Sequence, residues 1–228
     1  MTTGIGNRES GIAKRAACAT FALLVAVSLP ACSILGNGSP RDRASIYAPD
    51  PRIQADPAWP DVTWQLAIAP ATASRTSDTL RIAVRPTPGE IQVYRGASWA
   101  KTPTDMLEDA VLRGLEDSGK IPAVARQGSG IAADFKLVMD LRRFEADYAG
   151  RAAPTATVEV NAKLLHSIDQ QVVASRTFLA THAAASTAVQ DAAASFEPAL
   201  AQIARDIDGW VLTSGEAHIR VHGDGRAR

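Results

Sequence analysis

Three long segments in the second half of the chain alternate between apolar and polar residues, and short turn-forming stretches separate them. They cover residues 133–148, 155–165 and 171–182. An alternation with a period of two places every second side chain on the same face of a β-strand. Connections as short as 149–151 and 166–170 join antiparallel neighbours. This half of the chain is therefore predicted to form a β-meander with one buried face and one more solvent-exposed face.

The apolar residues of the first long segment change phase part of the way along. They form two series that are out of step by one residue: Phe135, Leu137, Met139 and Leu141, and then Phe144, Ala146 and Tyr148. A β-bulge near Arg142 and Arg143 accounts for this shift. The same two arginines have a second interpretation, because paired guanidinium groups can bind a phosphate headgroup.

Shorter strands and a helix are predicted upstream of the meander. The strand-like segments are residues 61–69, 79–84, 91–95 and 121–126. The helix has recognisable ends: Thr102 is placed to cap it, and Pro103 suits its first position. Asp105 favours the positive end of the helix, and Gly119 is placed to end it.

A second helix is predicted over residues 187–213, where the apolar residues keep to one face. Thr187 and Gln190 match a capping box, and Pro198 is expected to kink the helix or split it in two. Six to seven strands and two main helices, each apolar on one side, predict an α+β (α/β) fold. We expect a two-layer sandwich in which a mixed, mostly antiparallel sheet carries both helices on one face.

The N-terminus carries features of an export signal. Basic residues precede an apolar run over residues 16–29, which is too short to span a bilayer as a helix. The run ends at Leu29-Pro30-Ala31-Cys32, which resembles a lipobox. Cleavage before Cys32 would allow several acyl chains, such as palmitate, to anchor this residue stably. An ordinary secretory signal and an uncleaved anchor are the two alternatives.

These features divide the chain into four parts. We predict a signal peptide at 1–31, a lipidated Cys32 with a Pro-rich, partly disordered tether up to residue 60, a folded domain at 61–213, and a polar, frayed tail at 214–228. Ser33 follows the modified cysteine, and an aspartate at that position would have indicated retention in the inner membrane. The sequence therefore favours an outer-membrane lipoprotein that faces the periplasm of a Gram-negative bacterium.

Few residues in the folded part have the pattern of a catalytic or metal-binding site. Both cysteines, Cys18 and Cys32, lie in the first 32 residues, which excludes a disulfide framework and a thiolate metal site from the domain. The four histidines are predicted to lie in a turn, at a strand end and in the tail, where no catalytic or metal-binding pattern surrounds them. The net charge is zero, and no basic stripe suggests nucleic-acid binding. We therefore predict no catalytic residue, no metal, no cofactor and no enzymatic activity.

One aromatic stretch has two interpretations. Tyr94 and Arg95 end a predicted strand, a short Gly-containing turn follows, and Trp99 precedes the first helix. In the first interpretation, Trp99 fills the junction between the sheet and the helix. In the second, Tyr94, Arg95 and Trp99 form a partner interface, because aromatic residues and arginine are enriched at binding hot spots.

Several of these residues resemble the motifs of a known family, the ABC-type transport auxiliary lipoproteins, which include the PqiC proteins. The matching motifs are Ile91–Arg95, Trp99-Ala100, Pro103, Leu107, Leu115, Ala133-Asp134-Phe135, Leu137, Phe144-Glu145 and Trp210. The resemblance covers about Trp64 to Leu212, with the lipobox upstream. The tether before Asp61 is longer than is usual in the family, and Pro198 falls inside the last helix.

The resemblance implies a non-enzymatic accessory subunit. Its partners would be an MCE-domain substrate-binding protein and, in many systems, an ABC permease and ATPase. Such systems are thought to move phospholipids or other hydrophobic molecules between the two membranes of the envelope. A homo-oligomer is also compatible with the resemblance. Two other functions stay open: a stand-alone lipid-binding chaperone with an apolar groove, and an envelope-tethered hydrolase.

Overall fold

The structure is a computed structural model that describes Met1 and residues 44–222. The predicted signal peptide beyond Met1, Cys32 and the last six residues of the tail lie outside the described residues. The strands are β1 Ser45–Tyr47, β2 Gln65–Ile68, β3 Thr72–Ala73, β4 Arg81–Arg85, β5 Gln92–Trp99, β6 Ala123–Arg126, β7 Phe135–Asp147, β8 Thr155–His166 and β9 Val172–Ala183. The helices are α1 Pro103–Ser118, α2 Val189–Ala194 and α3 Phe196–His222.

Strands β7, β8 and β9 form the predicted antiparallel meander. Leu137 lies opposite Leu164, and Val160 lies opposite Phe178, so the inward rows coincide across the three strands. The register of β7 against β8 shifts between Leu141 and Arg143. The predicted bulge is therefore confirmed, and it returns Phe144 to the buried face.

The other edge of β7 is shared by three short parallel strands. β2 pairs with its beginning, β3 with its middle and β4 with its end. β6 then extends the sheet beyond β2, while β5 and β1 extend it beyond β4. The result is a mixed nine-stranded sheet whose long strands pair antiparallel. The sequence missed β1 and β3, because two or three residues are too few to show a period.

Helix α1 has the predicted ends. The Oγ1 atom of Thr102 accepts a hydrogen bond from the backbone N–H of Asp105 at 3.3 Å. Gly119 ends the helix with a left-handed φ of 65°, which a glycine adopts without steric cost. The helix therefore begins and ends where local chemistry satisfies its terminal backbone groups.

The second predicted helix is split in two, as expected from Pro198. Ser195 separates α2 from α3, and the proline lies in the first turn of α3, where its missing N–H breaks no helical hydrogen bond. Thr187 does not cap α2. The N-cap residue is Ala188, so no side chain caps this helix. Ser186 lies just before it, where its Oγ accepts a hydrogen bond from the N–H of Ala188 at 3.0 Å and donates one to the Asp191 carboxylate at 2.5 Å.

Helix α3 continues to His222, so residues 214–222 are helical, whereas the sequence predicted a frayed tail. The reason is packing against the sheet. Gly215 lies against the indole of Trp64, where a Cβ would come within 2.5 Å of Cζ2. Ile219, one turn further on, packs against the core.

Residues 48–60, which we call the strap, lie against the helices, whereas the sequence assigned them to the tether. The N–H of Asp50 donates to the Glu197 carboxylate at 3.3 Å, and Asp56 forms an ion pair with Arg205 at 2.9 Å. The compact unit therefore begins at Ala44, before the predicted start at Asp61. The sequence missed this because the strap has no period of its own and is held by distant residues.

The helices pack on one face of the sheet, as predicted for a two-layer fold. The layer between sheet and helices is filled by large side chains with no exposed surface, including Leu107, Leu115, Phe135, Phe196, Leu200 and Ile203. Such close packing supplies most of the stability of a domain of this size.

Candidate partner-binding surface

Trp99, one of the three predicted interface residues, lies in the core. Only 2% of its surface is exposed. Its ring meets Phe144 and Phe196 edge to face, with centroids 5.8 and 5.0 Å away. Trp99 therefore fills the junction between β5 and the start of α3. Its alternative assignment to a partner interface is corrected by this burial, because the ring has no free surface.

Tyr94 and Arg95 differ in accessibility. Strand β5 continues through Gly96, whose φ of 65° marks a distortion inside the strand and not the predicted turn. Tyr94 is half-buried, and burial raises the pKa of its hydroxyl, with the neighbouring Tyr148 adding to the effect. Arg95 is exposed. Of the three predicted interface residues, Arg95 is thus the one that offers a free side chain.

The two arginines at the bulge are held by carboxylates. Arg143 donates to Glu145 at 2.7 Å and to Asp147 at 2.6 Å, and Arg85 binds the same Glu145 through two hydrogen bonds of 2.9 Å. Arg142 lies more loosely near Asp140, at 3.6 Å. The Arg143 guanidinium is therefore already satisfied, which favours the bulge interpretation over a phosphate site.

A wide surface groove lies where the strap, α3 and β9 meet, and we call it the tryptophan groove. Its volume is about 600 Å³. The residues that line it are Asp56, Ala58, Trp59, Arg176, Arg205, Asp206, Gly209, Trp210, Thr213 and Ser214. Two tryptophans and two arginines in one groove match the residue types that dominate protein–protein hot spots.

The aromatic residues of this groove are held in place by packing. Trp59 lies against Gly209, where a Cβ would come within 2.5 Å of the indole Nε1. Trp210 meets Phe178 edge to face at 5.5 Å, and the Arg176 guanidinium lies 4.9 Å from the same Phe178 ring. A rigid aromatic surface loses little conformational entropy on binding. Trp59 and Trp210 line the same groove because the strap packs against α3. No local pattern in the sequence predicts this packing.

A second groove, the Lys101 groove, lies between the strap and α1. Its volume is about 500 Å³, and Met106 is among its lining residues. Lys101 forms an ion pair with Asp109 at 2.6 Å, and Arg113 pairs with Asp50. The hydrogen bond from Arg113 lowers the pKa of Asp50. These charges are satisfied within the chain, whereas Arg176 in the tryptophan groove forms no ion pair with any described residue. The tryptophan groove is therefore the better candidate for a partner-binding site.

Three histidines come together, although the sequence analysis placed His166 in a turn and His218 and His222 in a frayed tail. Because α3 extends to its end at His222, His218 and His222 lie one turn apart with their rings stacked at 4.5 Å. His166 lies 5.2 Å from His218, and its Nδ1 is 3.1 Å from the Asp169 carboxylate. Within the described part of the chain, no group of three His, Cys, Asp or Glu residues could hold a metal ion.

We expect His218 to make the end of α3 sensitive to acid. Burial lowers the pKa of His218, and His222 and His166 lower it further, while Asp169 opposes them. A histidine whose pKa is lower in the folded state stabilises the fold above its unfolded pKa of about 6.5, and this stabilisation is lost as the pH falls. Hydrogen exchange of residues 214–222, corrected for the intrinsic effect of pH, is therefore expected to accelerate in the wild type as the pH falls from 7 to 5.

The matched variant is His218→Gln, which keeps a polar side chain that does not titrate. Its exchange rates, corrected for the intrinsic effect of pH, are expected to change little across the same range. Equal acceleration in both proteins would show that His218 is not responsible.

Comparisons with known proteins identify relatives of the chain. A family model described as ABC-type transport auxiliary lipoprotein component matches residues 45–208. The crystal structure of XCC0632 from Xanthomonas campestris, a DUF330 protein, is 55% identical, with a TM-score of 0.75 over 78% of this chain and 99% of that one. An uncharacterized protein with 12% identity has a TM-score of 0.58 over 74% of this chain and 99% of its own, which shows the fold alone. No curated protein matches the chain.

Proposed function

Because the chain belongs to the ABC-type transport auxiliary lipoprotein family, we propose that it is a docking subunit of an envelope lipid transporter. Its partners in this proposal are an MCE-domain protein and an ABC permease and ATPase. The cargo is a phospholipid or another hydrophobic molecule that moves between the two membranes. In this role the subunit has no catalytic activity of its own, and its work is to bind and position the other components.

Lipid on Cys32 anchors the subunit to the outer membrane in this proposal, with the domain facing the periplasm. No helix among residues 44–222 is long and apolar enough to cross a membrane. The segment from Cys32 to residue 43 would connect the anchor to the domain, since residues from Ala44 onward belong to the compact unit. Several acyl chains on one residue are enough for stable attachment.

The observation that carries the docking role is the tryptophan groove. Trp59 and Trp210 present aromatic surface there, and the groove also offers arginine side chains. The interior supports docking over lipid carriage, because the layer between sheet and helices is occupied by protein side chains such as Phe135 and Phe196. An acyl chain in that layer would require these side chains to move, at a cost that close packing makes high.

Co-purification tests the proposal. The full-length protein is extracted in mild detergent, and we expect the MCE-domain protein and the ABC components to co-purify. Arg176→Ala, in the tryptophan groove, should reduce their recovery several-fold. Arg95→Ala, at the alternative interface on β5, is the matched control and should leave recovery unchanged. Absence of every MCE and ABC component from the wild-type preparation would contradict the proposal.

The anchor is tested in the same cells. Cys32→Ser removes the thiol that the lipid would modify, so the protein is expected to shift from the outer-membrane fraction to the periplasmic or unprocessed fraction. The folded domain should be unchanged, and its thermal unfolding serves as the control. Persistence of the variant in the outer membrane would show that attachment does not depend on this residue.

A further inference from the structure

Strand β9 ends the sheet with an open edge. Its twelve residues pair with β8 on one side, and no strand in the described part of the chain pairs with the other side. Natural proteins protect such edges with charged residues, prolines or bulges. β9 contains one charged residue, Arg176, and no proline, and its register shift lies at its first residues, opposite Leu164 and Leu165. A long edge without protection is a template for an additional strand.

The tryptophan groove borders this edge. Trp210 of α3 packs on Phe178 of β9, and Arg176 of β9 lines the groove with Trp210. An extended segment that pairs with this edge would lie alongside the groove that Arg176 and Trp210 line. Such a segment gains main-chain hydrogen bonds from the edge and side-chain contacts from the groove.

The side chains of β9 define what the added strand should carry. Arg176 forms no ion pair with any described residue, although the neighbouring Arg205 is paired with Asp56. A carboxylate beside Arg176 would supply the missing partner, and an apolar side chain two residues away, on the same face, would meet Phe178 and Trp210. Leu179, on the opposite face, is 58% exposed and favours an apolar neighbour there as well.

We propose that an extended segment of a partner protein adds to the free edge of β9 and places an acidic and an apolar side chain, two residues apart, in the tryptophan groove. This proposal rests on the docking function proposed above and defines the chemistry of the segment that docks. The alternation of the strand gives the specificity, because only one of its faces meets Arg176 and Trp210.

Two synthetic peptides of about nine residues test this recognition mode. Both are valine-rich and carry a leucine two positions from a variable residue, which is glutamate in the first peptide and lysine in the second. Binding to the full-length protein in detergent is measured by fluorescence anisotropy, and hydrogen exchange locates the site. We expect the glutamate peptide to bind at least about tenfold more tightly and to slow amide exchange within residues 172–183.

Arg176→Glu is expected to reverse the preference, so that the lysine peptide binds more tightly. Arg95→Glu carries the same charge change on β5 and should leave the preference unchanged. Equal binding of the two peptides, no binding of either, or selective binding without protection of β9 would each overturn the proposal.

The outcomes separate this proposal from the docking function. If the glutamate peptide fails while MCE or ABC components still co-purify, the edge is not the site, but the protein remains a docking subunit. If the peptide binds selectively at β9 and no transport component co-purifies, the recognition mode holds and the docking function is contradicted.

Discussion

Trp99→Ala is expected to destabilise the domain by about 3–5 kcal/mol, the cost typical of removing a large buried aromatic side chain. The indole is almost fully buried and touches Phe144 of the sheet and Phe196 of α3. Its loss opens a cavity at the point where the two layers meet. The surrounding rings cannot close this cavity without moving α3, so little of the cost is recovered.

Urea unfolding followed by circular dichroism measures this effect. Arg95→Ala is the control from the same strand, and its stability is expected to stay within about 0.5 kcal/mol of the wild type because the side chain is exposed. A Trp99→Ala protein with unchanged stability but lost partner binding would restore Trp99 to the interface and would contradict its structural role.

Asp208 is expected to make the stability of the domain fall as the pH rises. This carboxyl group lies between α3 and α1, is fully buried and has no hydrogen-bond partner. Its Oδ2 lies so close to Gly114 that a Cβ there would be 2.1 Å from it, and Ile53 of the strap adjoins the same point. Burial without a compensating partner disfavours the charged form and raises the pKa of Asp208 well above its usual value.

The direction of the pH dependence follows from this shift. A carboxyl group whose pKa is raised by folding contributes its full stability below the unfolded pKa of about 3.9, and the contribution is lost as the pH rises toward the folded pKa. Asp208→Asn removes the titration. We therefore expect the variant to become more stable than the wild type as the pH rises from 4, by up to about 1.4 kcal/mol per pH unit within this window.

Unfolding midpoints at several pH values from 4 to 9 check this prediction. Asp206→Asn, an exposed aspartate on the same helix, is the matched control and should follow the wild-type curve. Parallel curves for the wild type and Asp208→Asn would show that the buried carboxyl group titrates normally.

The effect of His218 has the opposite sign. Its pKa is lowered in the folded state, so its contribution to stability is lost as the pH falls, whereas that of Asp208 is lost as the pH rises. The two groups lie at different places on α3 and act on different neighbours. Asp208 faces α1 and the strap, whereas His218 faces the turn after β8. Their effects can therefore be separated by single substitutions.

Local patterns in the sequence determined much of this fold. The alternation of apolar and polar side chains predicted strands β7, β8 and β9, and its change of phase at Arg142 and Arg143 predicted the bulge. Both signals are local, because alternation is a property of neighbouring residues. Thr102, Pro103 and Gly119 specified the ends of α1 for the same reason. The motifs between Trp64 and Leu212 were also sufficient to indicate the family, which the match over residues 45–208 confirms.

Tertiary structure alone decided the features that depend on distant contacts. The strap has no period, and its place is set by Glu197 and Arg205, which lie about 150 residues away in the chain. The open edge of β9, the burial of Trp99 and the isolation of Asp208 likewise depend on which elements pack together. A sequence pattern shows which residues share a face, but the element that covers this face is decided only when the layers pack together. The candidate docking site lies where the strap, α3 and β9 meet, so it depends on this packing.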